Sequence, residues 1–481
     1  MPTTQTHRAN QLSTETQNAT KNLILGIDVG TSGLRACLVQ RRPGQTPDSL
    51  ADAAVGFLNV HKDLRSSTCV QSSPQSWLDA LTLLLDDSVI KPYLSQVAHI
   101  VVDATSSTVL LCSQDGQPRT AALMYNDQQA QVQSEQLARL TDSLGVSTAA
   151  QGASSTLAKV RFLQKGVNAS AQELFICHQI DYVNHYLADF DWITDENNAL
   201  KLGYDSVQGA WPGWVSDYLS PLNALNQPNT NTLPRLTLPK VVAPGTALAH
   251  LKPCIAQRFG LNPHATLYAG TTDSIAGFLA AGASQPGDAV TSLGSTLALK
   301  MLSPQPIFNA QYGIYSHRLK DQWLVGGASN SGGAVLLAYF SLTDINDLMR
   351  MFYQLNGAQQ DALLNTAAAT NYYPLTRPGE RFPIASSRFS PKMPPPVHAV
   401  HNDLDKLAYF MAMVQGLVNV ENTGYQTLHA LGAPRVKRLY AVGGGLKNPL
   451  WVRLRQNIWP TQLNPALSAD AAFGVTQLIS L

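Results

Sequence analysis

One design occurs twice in this chain. The apolar run Leu23-Ile24-Leu25-Gly26-Ile27 leads through Asp28-Val29-Gly30-Thr31-Ser32-Gly33 into a second apolar run, Leu34 to Val39. Asp288-Ala289-Val290-Thr291-Ser292-Leu293 leads in the same way through Gly294-Ser295-Thr296 into Leu297 to Leu302. Each reads as strand, tight hydroxyl-bearing turn, strand. Two such hairpins far apart in one chain indicate a duplicated domain whose halves address one nucleotide. The first turn offers backbone N–H groups, the hydroxyls of Thr31 and Ser32 and, just beyond, the guanidinium of Arg35, a set that suits a phosphate. A carboxylate there would repel phosphate unless a cation lay between them, so Asp28 suggests a metal–nucleotide site.

Two further elements carry chemistry. Leu439-Tyr440-Ala441-Val442 is a buried-strand pattern that breaks into Gly443-Gly444-Gly445, and a helix restarts after Pro449. Glycines let a flat ligand approach the backbone, and Asn448 can bond a purine or ribose edge, with Trp451 a candidate wall. Leu267-Tyr268-Ala269 reads as a strand, followed by Gly270-Thr271-Thr272-Asp273 and a small-residue helix from Ser274.

With 481 residues, two large domains are expected, and 44% apolar content is enough for sizeable cores. A net charge of +1 without a Lys/Arg cluster argues against a nucleic-acid partner, so an anionic ligand must be held by local donors and metal. No apolar run reaches the roughly 18 residues of a membrane-spanning helix. The absence of any Gly-Lys dipeptide removes the Walker A class. Five scattered cysteines (Cys37, Cys69, Cys112, Cys177, Cys254) form no Cys-x-x-Cys pair and read as buried, reduced thiols, which suits the cytosol. The first 21 residues, rich in Thr, Gln and Asn, read as a disordered leader; an acid-poor, hydroxyl-rich stretch also matches an organelle transit peptide.

In order and spacing these elements resemble the FGGY carbohydrate kinases, within the wider actin, Hsp70 and sugar-kinase fold, from about Leu23 to the C-terminus. The first phosphate motif is similar to Asp28–Arg35, the second to Ser292–Thr296, the adenosine motif to Ala441–Asn448 and the catalytic motif to Gly270–Gly277. The resemblance implies an α/β fold of two RNase H-like domains with an ATP cleft between them, using ATP and Mg²⁺. Gly30, Thr31, Ser32 and Arg35 would meet the phosphates from one side, and Gly294, Ser295 and Thr296 from the other. Gly444, Gly445, Asn448 and Trp451 would line the adenosine pocket, and Asp28 would hold hydrated Mg²⁺ and bond a sugar hydroxyl. Asp273 would be the base that takes the proton of the attacking hydroxyl, its anion favoured by the helix it opens.

Sugar preference is carried by a departure from the pattern. Where xylulose kinases of bacteria have Gln-Met-His-Gly, this chain has Ala104-Thr105-Ser106-Ser107, which sets Ser106 in the place of a sugar-contacting His. The Trp-x-Asp-x-Arg segment survives only as Tyr125-Asn126-Asp127-Gln128-Gln129. Both features look more like the cyanobacterial and plant branch for which D-ribulose is the implied substrate, with D-xylulose the alternative. From another class, a silent sugar sensor or an actin-like assembly protein remains open, though the intact Asp273 speaks against the sensor.

Short strands alternating with helical patterns indicate α/β architecture. The resemblance implies a first domain over 22–280 plus 457–481, to which the final helix returns in this family, and a second over 281–456, opened by the second phosphate hairpin. Helical patterns are expected over Gln128–Leu140, Leu157–Gln164 and Met411–Leu431, with a C-terminal helix over Ala469–Leu481. Trp211–Leu251 reads as connecting loops, and the prolines from Pro374 to Pro396 as a surface loop.

Overall fold

Apolar strands ending in a short polar turn require a neighbour on each side, and the chain supplies them twice. A computed structural model describes residues 22–42, 44–57, 72–167, 173–220, 233–393 and 402–480. The leader and Cys69 lie outside these residues, as do Pro394, Pro395 and Pro396. The chain divides into one unit of Met1–Ala280 with Asp470–Leu481, and a second of Ala281–Ala469. The return to the first unit therefore comes at Asp470 rather than at 457. The reason is local: Leu439 N–H donates to Gln462 O and Asn464 N–H to Leu439 O, which ties that stretch to the second unit's sheet.

In the first unit, β1 (Leu23–Val29) pairs antiparallel with β2 (Gly33–Gln40), and β2 with β3 (Asp48–Gly56). On its other side β1 runs parallel to β4 (His99–Ala104). A three-stranded sheet of β5 (Val109–Cys112), β6 (Leu174–His178) and β8 (Leu236–Thr237) separates two cores by strand alternation. Leu110 and Cys112 point into the core of the main sheet; Val109 and Leu111 pack with Leu137, Leu157 and Val160 of the helices Gln131–Leu144 and Thr156–Gly166. A small pair, β7 (Ile193–Asp195) and β9 (Lys240–Val242), lies nearby in the same unit. The main sheet continues through β11 (Thr266–Thr272), parallel to β4, to its edge β10 (Ala247–His250). The described residues of Trp211–Leu251, 211–220 and 233–251, hold a helix (Gly213–Leu219) and three short strands, more regular structure than the prolines suggest.

The second unit repeats the pattern. Here β12 (Asp288–Leu293), β13 (Leu297–Ser303) and β15 (Gln322–Ala328) pair antiparallel in succession, β14 (His317–Leu319) forms the edge, and β16 (Arg438–Val442) runs parallel to β12. Three antiparallel strands followed by a parallel neighbour is the order of β3, β2, β1 and β4, as a duplicated domain requires. The 28-residue helix Asp403–Ala430 buries Phe410, Met413, Val414 and Leu417 in this unit's core. Its Glu421 receives both Nε and a terminal NH₂ of Arg455 at 2.9 Å, a buried two-point pair that fixes the helix Pro449–Ile458. The proline segment is not purely superficial, because Phe382 within it is fully buried in the same core. The C-terminal helix is short, Ala471–Val475, and packs on the first unit.

Candidate active site

Open α/β sheets gather their functional groups beyond the carboxyl ends of parallel strands. In the first unit those strands are β1, β4 and β11. Asp28 stands in register with Asp103, and Thr271 pairs with Asp103 on the other side. Asp273 follows two residues later as the first residue of the helix Asp273–Ala280, its Oδ1 accepting from Ser274 N–H at 2.6 Å. A bulge in β11 between Tyr268 and Thr271 permits this approach. Gly270 is obligatory there, because a Cβ would lie 1.6 Å from Val102 O.

Asp103, which carries no motif in the sequence, joins the site as the partner of Asp28 across the β1–β4 pair. It is fully buried. As two anions, Asp28 and Asp103 would leave Asp28 Oδ1 and both Asp103 oxygens without a donor. A proton on Asp103, donated to Asp28, removes the conflict. Burial, then the Asp28 and Asp273 charges, hold Asp103 well above the ordinary carboxylate range. Burial raises Asp28 to about 6; the hydrogen bond from Asp103 opposes the rise, Asp273 adds to it, and Arg35 opposes it weakly. Arg35 lies 3.8 Å from Asp28 with its side chain 57% exposed, so its charge is screened by water.

The first turn closes through Gly30 N–H to Gly33 O at 2.9 Å, leaving Thr31 half-buried and Ser32 exposed. Among the described residues, no group of three or more Asp, Glu, His or Cys side chains is arranged around a metal. The described residues therefore offer no closed cage. Asp28 is the residue that would hold a Mg²⁺, an ion that usually keeps several waters and needs only one or two carboxylates.

The Ser106 turn is held from beneath. Thr105 Oγ1 donates to Gln179 Oε1 at 2.6 Å, Thr105 N–H does so at 3.2 Å, and Thr108 O receives Gln179 N–H at 3.0 Å. Lys159 Nζ donates to Ser107 O at 2.6 Å. With those groups fixing the turn, the half-buried Ser106 hydroxyl makes no hydrogen bond among the described residues. Gln179 and Lys159 carry no motif, and only the fold reveals their part.

In the second unit, Gly294, Ser295 and Thr296 form the β12–β13 turn, with Ser295 and Thr296 exposed. Gly333 N–H donates to Gly294 O and Ala334 N–H to Ser295 O, seating the turn on the helix Gly333–Tyr339. The glycine run leaves β16 beside this turn. A Cβ at Gly445 would stand 2.7 Å from Leu293 Cβ and 2.9 Å from Trp451 Cζ3, whereas one at Gly444 would meet nothing within 4 Å. Trp451 is buried in the core and is not a pocket wall, which corrects the expectation from sequence. Asn448 spends its Oδ1 capping the helix, accepting from Leu450 and Trp451 N–H at 3.1 and 3.2 Å. Only its amide NH₂ remains for a ligand.

The four described cysteines are thiols; Cys37, Cys112 and Cys177 are buried, but Cys254 is exposed, contrary to expectation. No helix among the described residues is long and apolar enough to cross a membrane.

Known proteins are similar to this chain along most of its length. A xylulose kinase of Haemophilus influenzae is 22% identical over 472 residues, covering 94% of this chain and 88% of its own length. A gluconokinase of Bacillus subtilis is 19% identical over 467 residues, covering 92% and 83%. The crystal structure of a xylulose kinase from Brucella ovis superposes with a TM-score of 0.71 at 18% identity, over 95% of this chain and 89% of that one. The N-terminal domain of the FGGY family of carbohydrate kinases matches residues 23–280 and its C-terminal domain residues 289–475. The chain belongs to the FGGY family of carbohydrate kinases, ATP-using phosphotransferases of two-domain α/β fold.

Proposed function

We propose that this kinase transfers the γ-phosphoryl group of ATP to the terminal hydroxyl of a pentulose, giving the 5-phosphate and ADP. The observation that supports it is Asp273, at a helix start and a strand end, beside the Asp28–Asp103 pair. In this reading Asp273 accepts the proton of the hydroxyl as its oxygen attacks phosphorus, a step in which position matters more than basicity. Asp28 orients a sugar hydroxyl and holds Mg²⁺, whose charge offsets that of the phosphates. Thr31, Ser32 and Arg35, with Ser295 and Thr296, are the proposed phosphate donors. Gly444, Gly445 and the Asn448 amide form the nucleoside site.

The relatives favour D-xylulose as acceptor over the D-ribulose expected from sequence. D-ribulose remains a second reading on one observation: the free Ser106 hydroxyl offers a short polar contact to an epimer with a differently placed C3 hydroxyl. ADP release measured with D-xylulose, D-ribulose, ribitol, glycerol and gluconate tests both. The largest stimulation is expected with a pentulose. No stimulation by any acceptor would instead support a silent sensor or an assembly protein.

A further inference from the structure

Lys159 is fully buried on the helix Thr156–Gly166. Its amine makes two direct contacts, both to backbone carbonyls: Ser107 O at 2.6 Å and Met124 O at 2.9 Å. Burial pushes its pKa down to about 7, with the Asp127 charge acting upward and Lys201 downward. A buried amine without a contacting carboxylate is an expensive way to fill space, and an apolar side chain of the same length would be cheaper.

The two carbonyls explain its presence. Ser107 sits in the turn between β4 and β5 with φ at 68°, a left-handed conformation unusual outside glycine. It directly follows Ser106. Met124 directly precedes Tyr125-Asn126-Asp127, and its carbonyl also receives Asp127 N–H at 3.0 Å. The bases of the two loops are already paired, Val109 and Leu123 exchanging both backbone hydrogen bonds at 3.1 and 2.9 Å, and the amine joins their tips one and two residues beyond that bridge. Gln179 secures Thr105 and Thr108, and the Val109–Leu123 bridge holds the loop bases, so loss of the amine should release only the tips at Ser106–Ser107 and Met124–Asp127 without dissolving the turn.

We infer that Lys159 is a positioning residue for the acceptor: by donating to the Ser107 and Met124 carbonyls it fixes the separation of the Ser106 and Tyr125–Asp127 loops, and with it acceptor choice. This rests on the proposed acceptor role of those loops.

The test is steady-state kinetics of Lys159→Met, which fills the volume without a donor. The acceptor KM should rise about tenfold, the ATP KM should stay within about twofold, and the ratio of kcat/KM between D-xylulose and D-ribulose should move toward one. Lys159→Ala supplied with propylamine should recover the acceptor KM, which a space-filling residue would not show. An unchanged acceptor KM, a parallel rise in both KM values, or no recovery with propylamine would overturn the inference. If Lys159→Met fails to unfold cooperatively, the propylamine experiment decides alone. Wild-type protein inactive on pentuloses but active on glycerol or gluconate would defeat the pentulose reading only; the same kinetics on that acceptor would then decide the role of Lys159.

Discussion

Asp28 and Asp103 stand opposite each other in register on adjacent parallel strands, and a proton on Asp103 reconciles two carboxyl groups in one buried site. Unfolded, Asp103 loses its proton near 3.8; folded, burial holds it far higher. Between those values the folded state binds more protons than the unfolded state, so raising the pH costs stability. Asp28 contributes in the same sense between 3.8 and about 6. Asp103→Asn cannot ionise but can still donate to Asp28. Urea unfolding of the ligand-free protein should find the variant's stability relative to wild type rising by roughly 1–3 kcal/mol between pH 4.5 and pH 8. Curves that stay parallel across that range would remove the shared proton.

The two central glycines of the adenosine element should separate by effect. Gly445→Val forces a side chain onto Leu293 and Trp451 and should first lower stability, by about 1–3 kcal/mol. Gly444→Val has open space and should unfold like wild type while weakening ATP, because the added methyls occupy the approach to the backbone. Calorimetry with ATP beside urea unfolding distinguishes them; unchanged ATP affinity in Gly444→Val would place the nucleoside elsewhere.

Ser106→Ala removes a hydroxyl that bonds nothing in the described protein. If it meets the C3 hydroxyl of the acceptor, kcat/KM for the preferred pentulose should fall about tenfold and the preference should narrow. The kcat/KM ratio for the two pentuloses is the measurement, and an unaltered ratio leaves Ser106 a turn residue.

Much of this architecture was legible because it is written in local chemistry. Asp28, Gly30, Gly294 and Asp273 each follow an apolar run and precede a turn or helix, a pattern readable without partners. Asp103 also ends an apolar run, His99 to Val102, and comparison with Asp28 would have singled it out. Lys159 and Gln179 were illegible, since a single polar residue within or at the start of a helix gains meaning only from the loops it touches. Trp451 was ambiguous for the converse reason: an aromatic after a glycine run suits a pocket or a core equally, and only Leu293 and Gly445 packed beside it decide for the core. The boundary near 457 was misplaced because the pairing of Leu439 with Gln462 and Asn464 is a backbone contact with no side-chain signature.

In the proposed reaction Asp273 takes the acceptor's proton. Asp273→Asn keeps the size and the helix start while removing the base. ATP binding by calorimetry and sugar-stimulated ADP release, measured on the same preparation, test it most directly. ATP affinity should stay within about twofold of wild type while turnover falls roughly 10²–10⁴-fold. Turnover near wild type, with ATP still bound, would contradict it.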